Sequence, residues 1–211
     1  AALPDLPAVA DVYRYAEPVG AQRSELARNL GSMSGLSVLV LPSRPDAGLP
    51  PTFSAEAPGS PADGRQATAE AAAALLRQHS LMPSYTVRPI SGEGSVTFAR
   101  ELALGRGKVL LVDGHGGPIG LRVTFGAGSA RISGPVDLPL TRASYPLRSM
   151  AEAIASVVSQ GGTGGGALDR VDLVYVVAGA GGQGYLEPAL FFSGPAVSVL
   201  VPAVADDHLT P

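Results

Sequence analysis

Apolar residues in this chain fall first at helical spacing and then at a spacing of two, and they do so twice. The clearer instance runs from Tyr145 to Phe192. Its opening, YPLRSMAEAIASVV, carries Ser149 three residues before Glu152, the reciprocal capping box of a helix start. Leu147, Ala151, Ile154, Ala155 and Val158 then recur at positions that share one helical face. Gly161–Gly166 reads as a flexible tether. In Asp172–Val177, the residues Leu173, Tyr175 and Val177 point one way, as strand residues do. Tyr185–Phe192 returns as a second strand and Ala196–Val201 as a third. Pro188 lacks the N–H that a ladder needs, so it marks an edge or a bulge.

The upstream instance starts at Ala67–His79, an Ala-rich helix former. Asp63 and Gln66 have capping-box spacing, Arg77 and His79 fall in the last turn, and Pro83 closes the segment. Four strands follow, Tyr85–Ile90, Ser95–Leu102, Lys108–Asp113 and Gly120–Phe125, separated by glycine-rich punctuation. Leu121, Val123 and Phe125 alternate with Arg122 and Thr124, the pattern of a sheet with one wet face. Ser129–Ser133 adds a fifth short strand.

Before these units the pattern is less regular. Pro4, Pro7 and Pro18 keep the first twenty residues extended, with Val12, Tyr13 and Tyr15 as a short strand or a strip lying against the body. Ala21–Leu30 forms a short helix with Leu26 and Leu30 on one side and Gly31 placed to stop it. Leu36–Leu41 is a strand. Six prolines between Pro42 and Gly64 exclude a continuous helix or central strand and leave a long loop, with room for a short edge strand at Thr52–Ala55. The fold expected is α+β: tandem helix-plus-antiparallel-sheet modules at residues 65–140 and 141–211, behind an N-terminal segment 1–64. The helices Ala67–His79 and Ser149–Val158 are expected to cover the sheets.

Composition narrows the function classes. The chain has 211 residues, 45% hydrophobic, enough for a substantial core. Lys plus Arg total 15 and net charge is −3, which argues against a nucleic-acid surface. Without cysteine there is no disulfide, thiolate metal site or cysteine nucleophile. No apolar run approaches the ~18 residues of a membrane span. The opening AALPDLPAV has no basic start or apolar core, so it reads as the beginning of a trimmed chain, or of mature chain following a cleaved or anchored segment. With 27 Gly, 19 Pro and no Trp, the composition resembles that of an exported protein from a high-GC bacterium.

Candidate motifs each meet a plainer reading. Gly179-Ala-Gly-Gly-Gln-Gly184 matches G-x-G-x-x-G after a strand, but a dinucleotide site needs a helix next. GYLEPALFF follows instead, so a hairpin is expected. Gly162–Ala167 follows a helix and fails the same test. Gly31-Ser-Met-Ser-Gly35 has Met33 where a nucleophile elbow needs its nucleophile, and Gly105-Arg-Gly-Lys108 lacks P-loop spacing. His79, His115 and His208 form no metal-site pair. His115, with Asp113 to orient it, is the one candidate general base, set against a solvated turn histidine. Glu187 is either a buried functional carboxylate or a half-exposed strand residue. Tyr175, Tyr185, Phe191 and Phe192 are sheet core or a ligand cage.

Taken together, YPLRSMAEAIASV, DRVDLVYVV and GYLEPALFFSG resemble the closing module of bacterial extracytoplasmic proteins with PepSY-like or YycH/YycI-type domains. LRQHSLMPSYTV with VTFAREL and GLRVTF resembles an earlier copy, and LPDLPAVADVYRY the start that follows an anchor. The resemblance implies a non-enzymatic module outside the cytoplasmic membrane, tethered only by an anchor beyond this chain. It implies regulation by contact of an envelope protein partner, such as a sensor kinase or protease. No catalytic, metal or cofactor residues follow from it. Tyr175, Tyr185 and Glu187 are the candidate partner-binding residues, on a sheet face or edge open to strand addition. The alternative is a carrier of a small apolar ligand, held between helix and sheet; a hydrolase built on His115 and Asp113 is a third reading.

Overall fold

The computed structural model describes residues 6–58, 68–159, 168–180 and 183–205. Its elements are β1 (Val9–Ala16), α1 (Ala21–Ser34), β2 (Val38–Leu41), a 3-10 turn at Pro45–Ala47, β3 (Thr52–Pro58) and α2 (Ala69–Gln78). Then come β4 (Val87–Gly92), β5 (Ser95–Leu104), β6 (Gly107–Val112), β7 (Gly120–Phe125), β8 (Ser129–Pro135) and β9 (Thr141–Pro146). The chain continues through α3 (Met150–Ser159), β10 (Arg170–Ala180), β11 (Gln183–Ser193) and β12 (Ser198–Pro202).

All twelve strands belong to one sheet, in the order β2-β3-β8-β7-β5-β6-β10-β11-β1-β9, with β4 also on β5 and β12 also on β11. This overturns the expected tandem helix-plus-antiparallel-sheet modules: the molecule is sheet-dominated, mixed and continuous. Two pairings make it so. The ten residues of β5 use Ser95–Ala99 to pair with β7 and Glu101–Leu104 to pair with β6. Next, β6 lies parallel to β10, through Leu111 and Val112 opposite Tyr175 and Val176. At the far end β1 sits between β11 and β9, antiparallel to both.

Helices cover parts of this sheet. Ala72 and Leu76 of α2, with Leu26, Ala27 and Leu30 of α1, pack on Phe53, Val96, Phe98, Leu121, Val123 and Ile132. Fully burying a side chain such as Leu76 contributes about 1.5–3 kcal/mol. Leu121 and Val123 are buried while Arg122 and Thr124 are exposed, as the alternation predicts. Thr68 caps α2, its hydroxyl accepting from the Ala71 amide at 3.1 Å; Asp63 and Gln66 lie outside the described residues. Helix α1 runs on through Gly31 and ends at Gly35, which takes the left-handed conformation (φ 70°) and donates its N–H to the Gly31 carbonyl. One interior glycine costs a helix only about 1 kcal/mol.

Ser149 and Glu152 form the expected box at the start of α3. The Glu152 carboxylate accepts from the Ser149 amide (2.7 Å) and hydroxyl (2.8 Å). The buried face of α3 differs from the expected one. Ala153 and Val157 pack on Val171, Leu190, Phe192 and Val201, while Ile154 and Val158 are 41% and 63% exposed. The helix is turned by one residue, about 100°, so Ala153 and Val157 meet the sheet in place of Ile154 and Val158.

Pro188 sits inside the central strand β11 without disrupting it. On one side it lies opposite Tyr175 of β10. On the other, β1 pairs only as far as Leu186 and β12 only from Ala189. The Pro188 carbonyl accepts the Ala203 N–H, and the Ala203 carbonyl takes the Arg148 N–H instead of one from residue 188. The missing donor therefore falls where β11 changes neighbours, the kind of ladder break that proline tolerates.

Candidate functional site

The residue at the partner change of β5 is Arg100. Ala99 makes the last pair with β7 and Glu101 the first with β6, and the Arg100 amide donates to the Ile119 carbonyl at 2.8 Å. Its side chain is directed inward and 7% exposed. The guanidinium carbon stacks 4.4 Å from the centre of the Tyr85 ring, a cation–π contact. Arg100 belongs to no ion pair among the described residues, and its Nε–H has no hydrogen-bond acceptor. Burial pulls the guanidinium below its usual pKa, opposed by the field of Tyr85, Asp137 and Tyr13. Burial also pushes the Tyr85 phenol up to about 12. Asp137 is fixed by a short hydrogen bond from the Ser84 hydroxyl.

Facing the same cavity is Tyr15 of β1, 4% exposed, with a hydroxyl that also lacks a partner. Burial, and then Glu17, raise its phenol well above the ordinary tyrosine value. Tyr15 lies directly across from Gly184 of β11, and its ring occupies the space that a Cβ on residue 184 would fill. The cavity that both residues line measures ≈ 10 Å³, and Pro50, Leu111, Leu138 and Leu186 supply much of the remaining wall. That is room for about one water-sized occupant. Chemically the site offers two hydrogen-bond donors and a positive charge in an apolar shell.

A second feature is the edge strand β2. Among the described residues it pairs only with β3, and Leu39 and Leu41 are 60% and 44% exposed on its outer side. Between β2 and α1 runs an open groove of ≈ 340 Å³, lined by Arg23, Ala27, Leu39, Val40 and Pro42 among others. The opposite edge, β9, is guarded differently. Arg142 and Ser144 bind the Asp11 carboxylate, and Pro146 ends the strand. Polar and charged edges with proline resist pairing with another chain; an apolar one invites it.

The residues singled out from the sequence separate. Tyr175 is fully buried, its hydroxyl donating to the Asp11 carbonyl at 2.6 Å, with its ring 5.7 Å from that of Tyr13. It ties β10 to β1 from the interior. Tyr185 and Glu187 occupy the opposite face of β11, half-buried, where Val176 stands across from Glu187. Burial raises the Glu187 carboxyl above its usual pKa. Asp113 does not orient the His115 ring: its carboxylate accepts from the backbone amides of His115 (2.9 Å) and Gly117 (2.8 Å). That removes the dyad on which the hydrolase reading rested. The motif at Gly179–Gly184 leads from strand to strand, Ala180 pairing with Gln183, as expected of a hairpin. His208 and Gly161–Gly166 lie outside the described residues. Among the described residues no three His, Asp or Glu are grouped to hold a metal, and no helix is long and apolar enough to cross a membrane.

Arg100 was missed, although a signal for it was present. Val96, Phe98, Arg100, Leu102 and Leu104 alternate along β5, so the charge stands in an inward row that is otherwise apolar. Comparison with family models, curated proteins and solved structures gives no match to this chain.

Proposed function

We propose that the chain is a non-enzymatic binding protein of the bacterial envelope that takes an extended segment of a protein partner onto the β2 edge. The carrying observation is the contrast between the two ends of the sheet: β2 with Leu39 and Leu41 exposed against β9 with its Arg142–Asp11 salt bridge. Strand addition supplies backbone hydrogen bonds, and side chains of the added strand gain contact with Leu39, Leu41 and the α1 groove. A regulated sensor kinase or protease fits such a device. The extracytoplasmic setting rests on the composition and on the family resemblance. The apolar-ligand alternative draws no support from the Tyr15–Arg100 cavity, which is too small and presents polar donors.

The test is a photo-crosslinking residue placed at Leu39 or, as control, at Thr141, in envelope extracts, together with retention of the crosslinked partner by the Leu39→Lys/Leu41→Lys variant. Crosslinks from the β2 position alone, and loss of retention in a variant whose stability stays within about 0.5 kcal/mol of the parent, support the reading. Equal retention by the variant overturns it. So does a concentration-dependent dimer abolished by the same substitutions, which would assign the edge to a second copy.

A further inference from the structure

We infer that the cavity between β1 and β5 is a binding site for one halide-sized anion, held between the Nε–H of Arg100 and the hydroxyl of Tyr15. Three independent features converge on it. Arg100 is 7% exposed and has no ion pair among the described residues; buried charges are ordinarily paired, because desolvation leaves an isolated one strongly unfavourable. Tyr15, 4% exposed, lines the same space, and its hydroxyl also has no partner among the described residues. Both groups donate, so an occupant that only accepts satisfies the two together. The ≈ 10 Å³ of room suits a monatomic ion and excludes sulfate or an organic acid. Asp137 contributes opposing charge from beyond ion-pair distance and is itself bound by Ser84, so Nε is left for the occupant. The cationic guanidinium against the Tyr85 face completes a positive, water-poor pocket.

The lining residues come from both halves of the sheet: Tyr15 on β1, Arg100 on β5, Leu111 on β6 and Leu186 on β11. The ion therefore braces the junction at which β5 passes from β7 to β6. This inference is independent of the partner-binding reading.

The experiment uses bromide as the probe. Crystals of the full chain soaked in sodium bromide are expected to show an anomalous peak within hydrogen-bonding reach of both Arg100 Nε and Tyr15 Oη. In solution, replacing chloride by gluconate at constant ionic strength is expected to lower the melting temperature. Tyr15→Phe keeps the ring against Gly184 and is expected to lose at least half of that dependence; Arg100→Gln is expected to lose nearly all of it. General salt effects act on all three proteins alike, so the difference isolates the site. Absence of a bromide peak, with only water at the position, would overturn the inference, as would an equal chloride dependence in parent and variants.

Discussion

Gly184→Ala tests whether the Tyr15 ring really fills the space above β11. Tyr15 and Gly184 are direct cross-strand partners, and a Cβ on residue 184 would fall on the Cζ and hydroxyl of the tyrosine, far inside any real carbon contact. The ring is 4% exposed and rigid, so it cannot yield as a flexible side-chain end would. Relief requires the two strands to separate or the ring to leave the cavity. Overpacking of this kind costs about 1–3 kcal/mol, and the alanine returns roughly 0.4–1 kcal/mol by restricting the unfolded chain. The net loss is about 1–2 kcal/mol. For a chain of this size that lowers the melting temperature by about 2–8 °C. The discriminating assay is a double-mutant cycle by urea unfolding with Tyr15→Val, which removes the colliding atoms at a cost below the ~3–5 kcal/mol of full aromatic truncation. Gly184→Ala should then be nearly silent in the Tyr15→Val background, a coupling of ~1 kcal/mol or more. Additivity within about 0.5 kcal/mol would refute the reasoning, because it would mean that the ring and residue 184 do not compete for the same space.

The helix caps and the buried phenols give two further tests. Thr68→Ala and Ser149→Ala should each destabilise by about 0.5–2 kcal/mol, measured by urea unfolding. The backbone and then the side-chain hydrogen bonds from Ser149 hold the Glu152 carboxyl below its usual pKa, so its contribution is present at neutral pH and is lost as pH falls through the folded value. The stability gap between parent and Glu152→Gln should therefore close on acidification. Tyr85, pushed up to about 12, and Tyr15 and Tyr175, raised further by burial, contribute stability that is complete below the unfolded value near 10. That stability falls as pH rises beyond it. Absorbance at 295 nm should show these phenols ionising together with alkaline unfolding; full ionisation near pH 10 in the folded chain would contradict the burial.

Local elements were largely legible because their signals are local. Alternation at Leu121–Phe125, the Ser149/Glu152 box and the turn chemistry of Gly179–Gly184 each act over a few residues. What failed were orientations and partners, and the reading of Pro42–Gly64 as a loop with at most a short edge strand: β3 there is paired on both sides, with β2 and β8. The α3 segment AEAIASVV carries apolar residues almost all round, so its spacing could not tell the Ala153/Val157 face from the Ile154/Val158 face. Gly31 looked like a stop, but a following Gly35 with positive φ does that work. TRASYP shows no apolar alternation, and β9 exists because β1 offers it a ladder from Val9 to Arg14. Tyr175 is sheet core, one of the two readings its sequence offered, and so is not an exposed partner contact; period-two spacing does not say which face is buried when both faces are covered.

The largest error and the most informative site have one cause. Two patterned stretches were expected to close on themselves as separate sheets; instead β5 is long enough to leave β7 and take β6, and β6 in turn lies parallel to β10 of the second stretch. A strand that exchanges neighbours leaves a short interval in which neither one shields it fully, and Arg100 stands in that interval. An apolar residue there would fill the row; an arginine with an unpartnered Nε leaves a polar cavity where β5 changes neighbours. Arg100→Met should accordingly preserve the fold, since a side chain of similar length fills the same row between Phe98 and Leu102. If the cavity exists to receive an ion, that variant should be no less stable than the parent in gluconate, yet fall behind it when chloride is supplied.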